Sequence, residues 1–146
     1  MVRIGSPVAH KLLSANDLGI NGSHQAGILV PKPLARSGFF PELDEGTLNP
    51  RSQLDIATSK GYRSTAQFIF YNNKRFGGTR DEFRLTHLTK PLRELGMQVG
   101  DTLRLSVCDG GYTLEKLEED RQIVERSAHD RPMLRLTGGW ILINIK

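Results

Sequence analysis

Apolar residues fall along this chain in short alternating stretches, cut by glycine or proline roughly every eight to fifteen residues, a spacing that predicts many short strands. Leu12 and Leu13 begin a first strand that runs into the polar loop Ser14 to His24, and Gly27 to Val30 form a second. Pro31 sits at a possible first helical position with Gly38 beyond it, so Pro31 to Arg36 is expected to form a short helix across one end of a barrel. Phe39 and Phe40 follow as a core plug. Leu54 to Thr58 and Ala66 to Tyr71 alternate as central strands, with Phe68 and Phe70 on one side and Ile69 and Tyr71 on the other. Phe83, Leu85 and His87 alternate with Arg84 and Thr86, which predicts a strand leaving a glycine loop.

Pro91 to Leu95 reads as a second short helix ended by Gly96. The clearest hairpin pairs Thr102 to Val107 with Tyr112 to Leu117 through the turn Asp109 to Gly111. Glu118 to Ser127 fits a helix face or a strand about equally. Met133 to Leu136 and Trp140 to Ile145, joined through Gly138 and Gly139, make a last pair, and the unbroken run from Trp140 to Ile143 predicts burial on both faces. The expected fold is mainly β, a mostly antiparallel barrel of about seven or eight strands with one or two short helices.

At 146 residues the chain is expected to form one domain with a sizeable core. Its net charge of +4 permits an anionic partner without requiring one. Cys108 is the only cysteine, which excludes an intrachain disulfide and fits a reducing cytoplasm; beside Leu105 and Val107 it reads as an inert thiol on a packed strand. The amino terminus lacks the apolar centre of a signal peptide and no apolar run approaches a membrane span, so no membrane partner is expected.

The segment Tyr71 to Arg84 changes this neutral picture. Gly77 and Gly78 lie between Lys74 and Arg75 on one side and Arg80 and Arg84 on the other, so backbone can approach a phosphate with guanidinium groups beside it. Asn72, Asn73 and Glu82 add groups that phosphate binding alone does not require. Asparagine amides suit adenine, a glutamate carboxylate accepts from the cytosine amino group, and arginine pairs with guanine through two bonds in the major groove. An isolated charged loop is ordinarily a solvated turn, so a second loop matters. Ser14 to Gln25 supplies it: most of Asn16 to Gly22 reads as turn-forming residues, whereas His24 and Gln25 start an apolar strand and are placed to project from its rim.

Enzymatic chemistry finds no comparable pattern. His10, His24, His87 and His129 are isolated at no ligand-like spacing, so neither metal nor another cofactor is expected. Asp109 with Glu115 and Lys116 lacks the alternation that would put carboxylate and lysine on one strand face for a magnesium-dependent nuclease. There is no nucleophile elbow and no phosphate-binding Walker loop.

Taken in order, Ser14-Ala-Asn-Asp-x-Gly, Gly22-x-His24-Gln25-x-Gly27-x-x-x-Pro31, Phe40-Pro41, Asn49-Pro50 and Tyr71-Asn-Asn-Lys-x-Phe-Gly-x-Thr-Arg-x-Glu-x-Arg84 resemble the amino-terminal effector domain of the EcoRII restriction endonuclease family. The similarity runs from about Ser14 to Arg84. It implies a B3-like pseudobarrel in which two arms grip the DNA major groove, the first from Ser14 to Gln25 and the second from Lys74 to Arg84. It assigns base reading to His24, Arg80, Glu82 and Arg84. Ser23, Gln25, Asn73, Lys74, Arg75, Gly77, Gly78 and Thr79 are then expected to position the backbone. Three departures bear on this: Gly78 stands where the relative has lysine, Phe83 where it has another basic residue, and Leu29 where it has an arm tyrosine.

The resemblance implies a prokaryotic cytoplasmic protein that recognises a site in double-stranded DNA, of the CCWGG type where W is A or T. The domain would have no catalytic site of its own and would act beside the nuclease domain of a larger parent chain, as target-recognition or effector module. A free-standing regulator of the same fold, a small nuclease or hydrolase, and an RNA or single-strand binder are the competing readings.

Overall fold

Alternation of apolar and polar residues is realised as one sheet in a computed structural model that describes residues 7–20, 27–118 and 133–144. Nine strands are described: β1 (Pro7–Leu12), β2 (Ile28–Val30), β3 (Arg51–Thr58), β4 (Arg63–Tyr71), β5 (Glu82–Thr86), β6 (Thr102–Cys108), β7 (Gly111–Leu117), β8 (Met133–Arg135) and β9 (Trp140–Asn144). The expectation of about seven or eight was low. Two helices, α1 (Lys32–Ala35) and α2 (Thr89–Glu94), match the short helices predicted after Pro31 and around Pro91.

The strand order is β2-β5-β4-β3-β7-β6-β1-β9-β8. Every adjacent pair is antiparallel except β3 and β7, which run parallel from Ile56 opposite Tyr112 to Thr58 opposite Leu114. The sheet curls into a half-barrel, and one bond draws its two ends together: the Trp140 indole Nε1 on β9 donates to the Leu29 carbonyl oxygen on β2 at 2.9 Å. Phe39 and Phe40 are buried as the predicted plug. Phe40 stacks on Phe68 at 4.7 Å, and Phe70 stacks on Phe83 at 4.1 Å, which continues the aromatic column to the mouth of β5. Tyr112 closes the other side by donating its hydroxyl to the Phe39 carbonyl at 2.6 Å. Burial pushes that phenol up to about 12.

Three local expectations need correction. The first strand ends at Leu12 rather than beginning there, because His10 and Lys11, polar in type, are both buried within it. Strand β5 stops at Thr86, and His87 takes a left-handed conformation at φ 65°. Cys108 is exposed, not packed: Leu105 is buried, but Val107 and Cys108 extend past the core toward the hairpin tip at Asp109 and Gly110. The ambiguous stretch from Glu118 to Ser127 lies outside the described residues apart from Glu118 itself.

Candidate nucleic-acid interface

The loop after β1 begins with a reciprocal turn. The Ser14 N–H donates to Asp17 Oδ2 at 2.9 Å, and the Asp17 N–H donates to Ser14 Oγ at 3.2 Å. Serine and aspartate three residues apart satisfy each other's backbone, so the chain reverses without sheet partners. Lys11 then fastens this turn to the barrel. Its ammonium pairs with Asp17 Oδ2 at 2.9 Å and donates to the carbonyls of Leu12 at 3.0 Å and Gly138 at 2.6 Å, with the lysine and aspartate side chains only 6% and 9% exposed. Asn16 to Ile20 are thus an ordered turn, as their composition predicted. Ser23, His24 and Gln25 lie outside the described residues.

The second loop is anchored by a residue whose role composition concealed. Asn72 is 1% exposed. Its Oδ1 accepts from the Asn49 N–H at 2.7 Å, while its Nδ2 donates to the carbonyls of Glu45 at 3.1 Å and Thr47 at 2.7 Å. Asn49 Oδ1 in turn accepts from the Asn72 N–H at 3.2 Å. Both amide hydrogens are committed, so Asn72 fixes the loop base and is not available to an adenine. Asn73 opens a 3-10 turn, Asn73–Phe76, that closes on Gly77 at φ 93°. The Asn73 Oδ1 accepts from the Arg80 N–H at 2.7 Å, which cinches the loop across its neck. A Cβ at position 78 would fall 2.5 Å from Asn73 Cγ, so Gly78 and Asn73 fit together. The absence of a side chain at Gly78 is matched locally by an amide occupying the space.

Glu82 and Arg84 share a face by the alternation of β5, and Arg80, two residues before the strand, joins them through Glu82. Glu82 Oε1 accepts from Arg80 Nε at 3.1 Å and lies 3.0 Å from its Nη2, while Glu82 Oε2 accepts from Arg84 Nε at 2.9 Å. Tyr71 is directly opposite Glu82 across β4 and β5, and the Arg80 guanidinium carbon lies 3.7 Å from its ring centroid. This is an ordered face of two cations bridged by one carboxylate. Exposure divides it: the Arg80 side chain is 39% exposed and the Arg84 side chain 10%. Leu29 neighbours Arg84 across β2 and β5 and stands 47% exposed beside it. Phe83 points the other way, into the aromatic column, so no basic side chain could replace it without loss of core.

Asp81, between Arg80 and Glu82, turns to the opposite side of the loop and accepts from Lys32 Nζ of α1 at 2.6 Å. That bond holds the Asp81 carboxyl below the ordinary carboxylate range. Arg36, just beyond α1, donates to Glu45 through Nε at 3.2 Å and Nη2 at 2.8 Å, and this fork likewise lowers the Glu45 carboxyl and raises the guanidinium. Arg75 Nη1 donates to the Glu45 carbonyl at 2.9 Å. The sequence marked Tyr71 as the start of this segment without giving it a role, and it left Lys32 and Arg36 out of this region. The signal for Lys32 and Arg36 was their four-residue spacing in the segment after Pro31, which the structure resolves as the first residue of α1 and the residue just beyond it.

Among the described residues no group of three His, Cys, Asp or Glu side chains is arranged to hold a metal ion. Residues 5–105 match the family described as "Restriction endonuclease EcoRII, N-terminal". Over 79 residues the chain is 38% identical to "Type II restriction enzyme EcoRII" of Escherichia coli, which takes in 52% of this chain and 19% of that protein. The chain therefore spans about a fifth of the length of that relative. Among solved structures, "Arabidopsis FUS3-DNA complex" is similar at a TM-score of 0.52 and 14% identity, covering 75% of this chain and 94% of that one. The shared architecture is the B3-like half-barrel.

Proposed function

Because the chain belongs to the EcoRII N-terminal family, we propose that it recognises a specific site in double-stranded DNA through the major groove and serves as target-recognition or effector module of a type II restriction endonuclease. The observation that carries this reading is the Arg80–Glu82–Arg84 face at the mouth of β5. Arginine has five N–H donors, so Arg84 retains four after its Nε bond to Glu82, and Glu82 Oε2 keeps a second lone pair, while Oε1 faces both Nε and Nη2 of Arg80. Two guanine-reading forks and a cytosine-reading carboxylate are thereby held in one face before any ligand arrives. The Escherichia coli relative is named a type II restriction enzyme, and the FUS3 structure is named a DNA complex; both support the assignment.

In this reading Arg80, Glu82, Arg84 and His24 read bases of a CCWGG-type site. Lys74, Arg75, Asn73, Gly77, Gly78 and Thr79, with Ser23 and Gln25 of the first arm, position the backbone. Asn73 does so by holding the loop closed through the Arg80 N–H. Cleavage would belong to a nuclease domain elsewhere in a larger parent chain.

The division of roles predicts two different responses. Arg80→Ala should cost about 1 to 3 kcal/mol on the cognate duplex and relax preference at one base position. Lys74→Ala should weaken every duplex alike and shrink the salt slope by about one. Titrations of both variants against cognate and scrambled duplexes over a salt series measure this. Equal losses on the two duplexes for both variants would overturn the assignment.

A further inference from the structure

The second loop has two faces, and only one of them is occupied by the Arg80–Glu82–Arg84 group. On the other, Lys32, Arg36, Phe70, Asn72, Lys74, Arg75 and Asp81 line a cavity of about 350 Å³. Four cations thus converge on one recess, against the carboxylates of Asp81 and of Glu45, which pairs with Arg36. The floor is rigid: Asn72 is pinned through its amide, and the Arg36 guanidinium lies 5.7 Å and 5.3 Å from the Phe70 and Phe83 ring centroids. Two positive charges remain in excess, held on a preformed wall.

We propose that this recess is a phosphate seat that takes a backbone phosphate of the bound duplex, with Lys32 and Arg36 as ligands beside Lys74 and Arg75 and with Asp81 as a built-in attenuator. The inference rests on the duplex-DNA reading and deepens it. Just before β5, Arg80 bonds to Glu82 while its neighbour Asp81 bonds to Lys32 of α1, so the base-reading face and the recess lie on different sides of one strand mouth. A loop inserted into a major groove has base edges ahead of it and the phosphates of the groove wall beside it. The Asp81 carboxylate holds Lys32 in the recess and also opposes an incoming phosphate. Removing the two partners should therefore act in opposite directions.

Lys32→Ala and Asp81→Asn separate this from a structural role, because both residues are partly exposed and both changes break the same ion pair. Affinity for a CCWGG duplex and a scrambled duplex of equal length is measured over a salt series, with thermal unfolding as the check on folding. Lys32→Ala should weaken both duplexes in the same proportion and shrink the salt slope by about 0.9. Asp81→Asn should tighten both. Inorganic phosphate replacing chloride at equal ionic strength should compete with duplex less well in Lys32→Ala than in the unaltered protein. Wild-type slope and affinity in both variants would overturn the phosphate seat while leaving duplex recognition intact, as would losses of equal size in both. If phosphate competition depends on Lys32 but the duplex slope does not, the recess takes a free phosphate and the proposal fails. Failure of the unaltered protein to bind either duplex would overturn this inference and the DNA reading together.

Discussion

Gly27→Ala should destabilise the domain by on the order of 3 to 5 kcal/mol, more than the same change at any other described glycine. Gly27 stands at φ 97°, where an L side chain already costs about 1 to 2 kcal/mol. The larger cost is steric. A Cβ there would fall 2.0 Å from the Leu85 carbonyl oxygen and 2.8 Å from its carbon, both backbone atoms of β5 that no rotamer change can move. Strand β2 would have to lift from β5, and with it go the buried Ile28 and Val30 and the Leu29 carbonyl that receives the Trp140 indole. The half-barrel would lose the bond that draws its ends together. Gly61→Ala is the matched control, since Gly61 has φ 91° and a Cβ there would meet nothing within 4 Å. Urea denaturation of the two variants measures the difference; equal midpoints would show that β2 and β5 separate at little cost.

Lys11→Met should cost about 3 to 5 kcal/mol, because it leaves the Asp17 carboxylate in a nearly closed site without its cation. Two carbonyls, of Leu12 and Gly138, lose the same donor. Asp17→Leu alone should be damaging for the reverse reason, an ammonium buried beside carbonyls only, together with loss of the acceptor for the Ser14 N–H. The double variant removes both charges and should lose clearly less than the sum of the two singles. Strict additivity in a denaturation cycle would mean that the two charges do not act as a pair. Since Asp17 forms the first turn after β1, loss of this anchor should also weaken duplex binding in proportion to the loosening of that loop.

Much of the fold was legible because the strands that make the core alternate cleanly. Phe68 and Phe70 on β4, and Phe83 and Leu85 on β5, face inward as their spacing requires. What escaped was set by contacts distant in sequence. The pattern of β1 was hidden because His10 and Lys11 are polar types in buried positions, and Lys11 is tolerated there through Asp17 and the carbonyls of Leu12 and Gly138. The parallel pairing of β3 with β7 leaves no local mark, nor does the Trp140 bond to Leu29. Cys108 misled because an apolar strand can outrun the core it packs on.

The candidate site divides in the same way. Arg80, Glu82 and Arg84 were singled out by the family resemblance and by the pairing chemistry of arginine and glutamate, and the structure brings them together. Asn72 was not, because a buried asparagine committed to backbone looks in sequence like one free to bind a base. Lys32 and Arg36 lie some forty residues from the loop they face, so the short helix after Pro31 was legible while the loop it faces was not.

Competition binding of a CCWGG duplex against a scrambled duplex of the same composition, at one stated salt concentration, tests the central claim most directly. Sequence-specific recognition predicts that the cognate duplex is bound at least about a thousandfold more tightly, the lower end of the range for specific protein–DNA recognition. Equal affinity for the two duplexes across a panel of G·C-rich sites would contradict it and leave only a basic surface that holds phosphate.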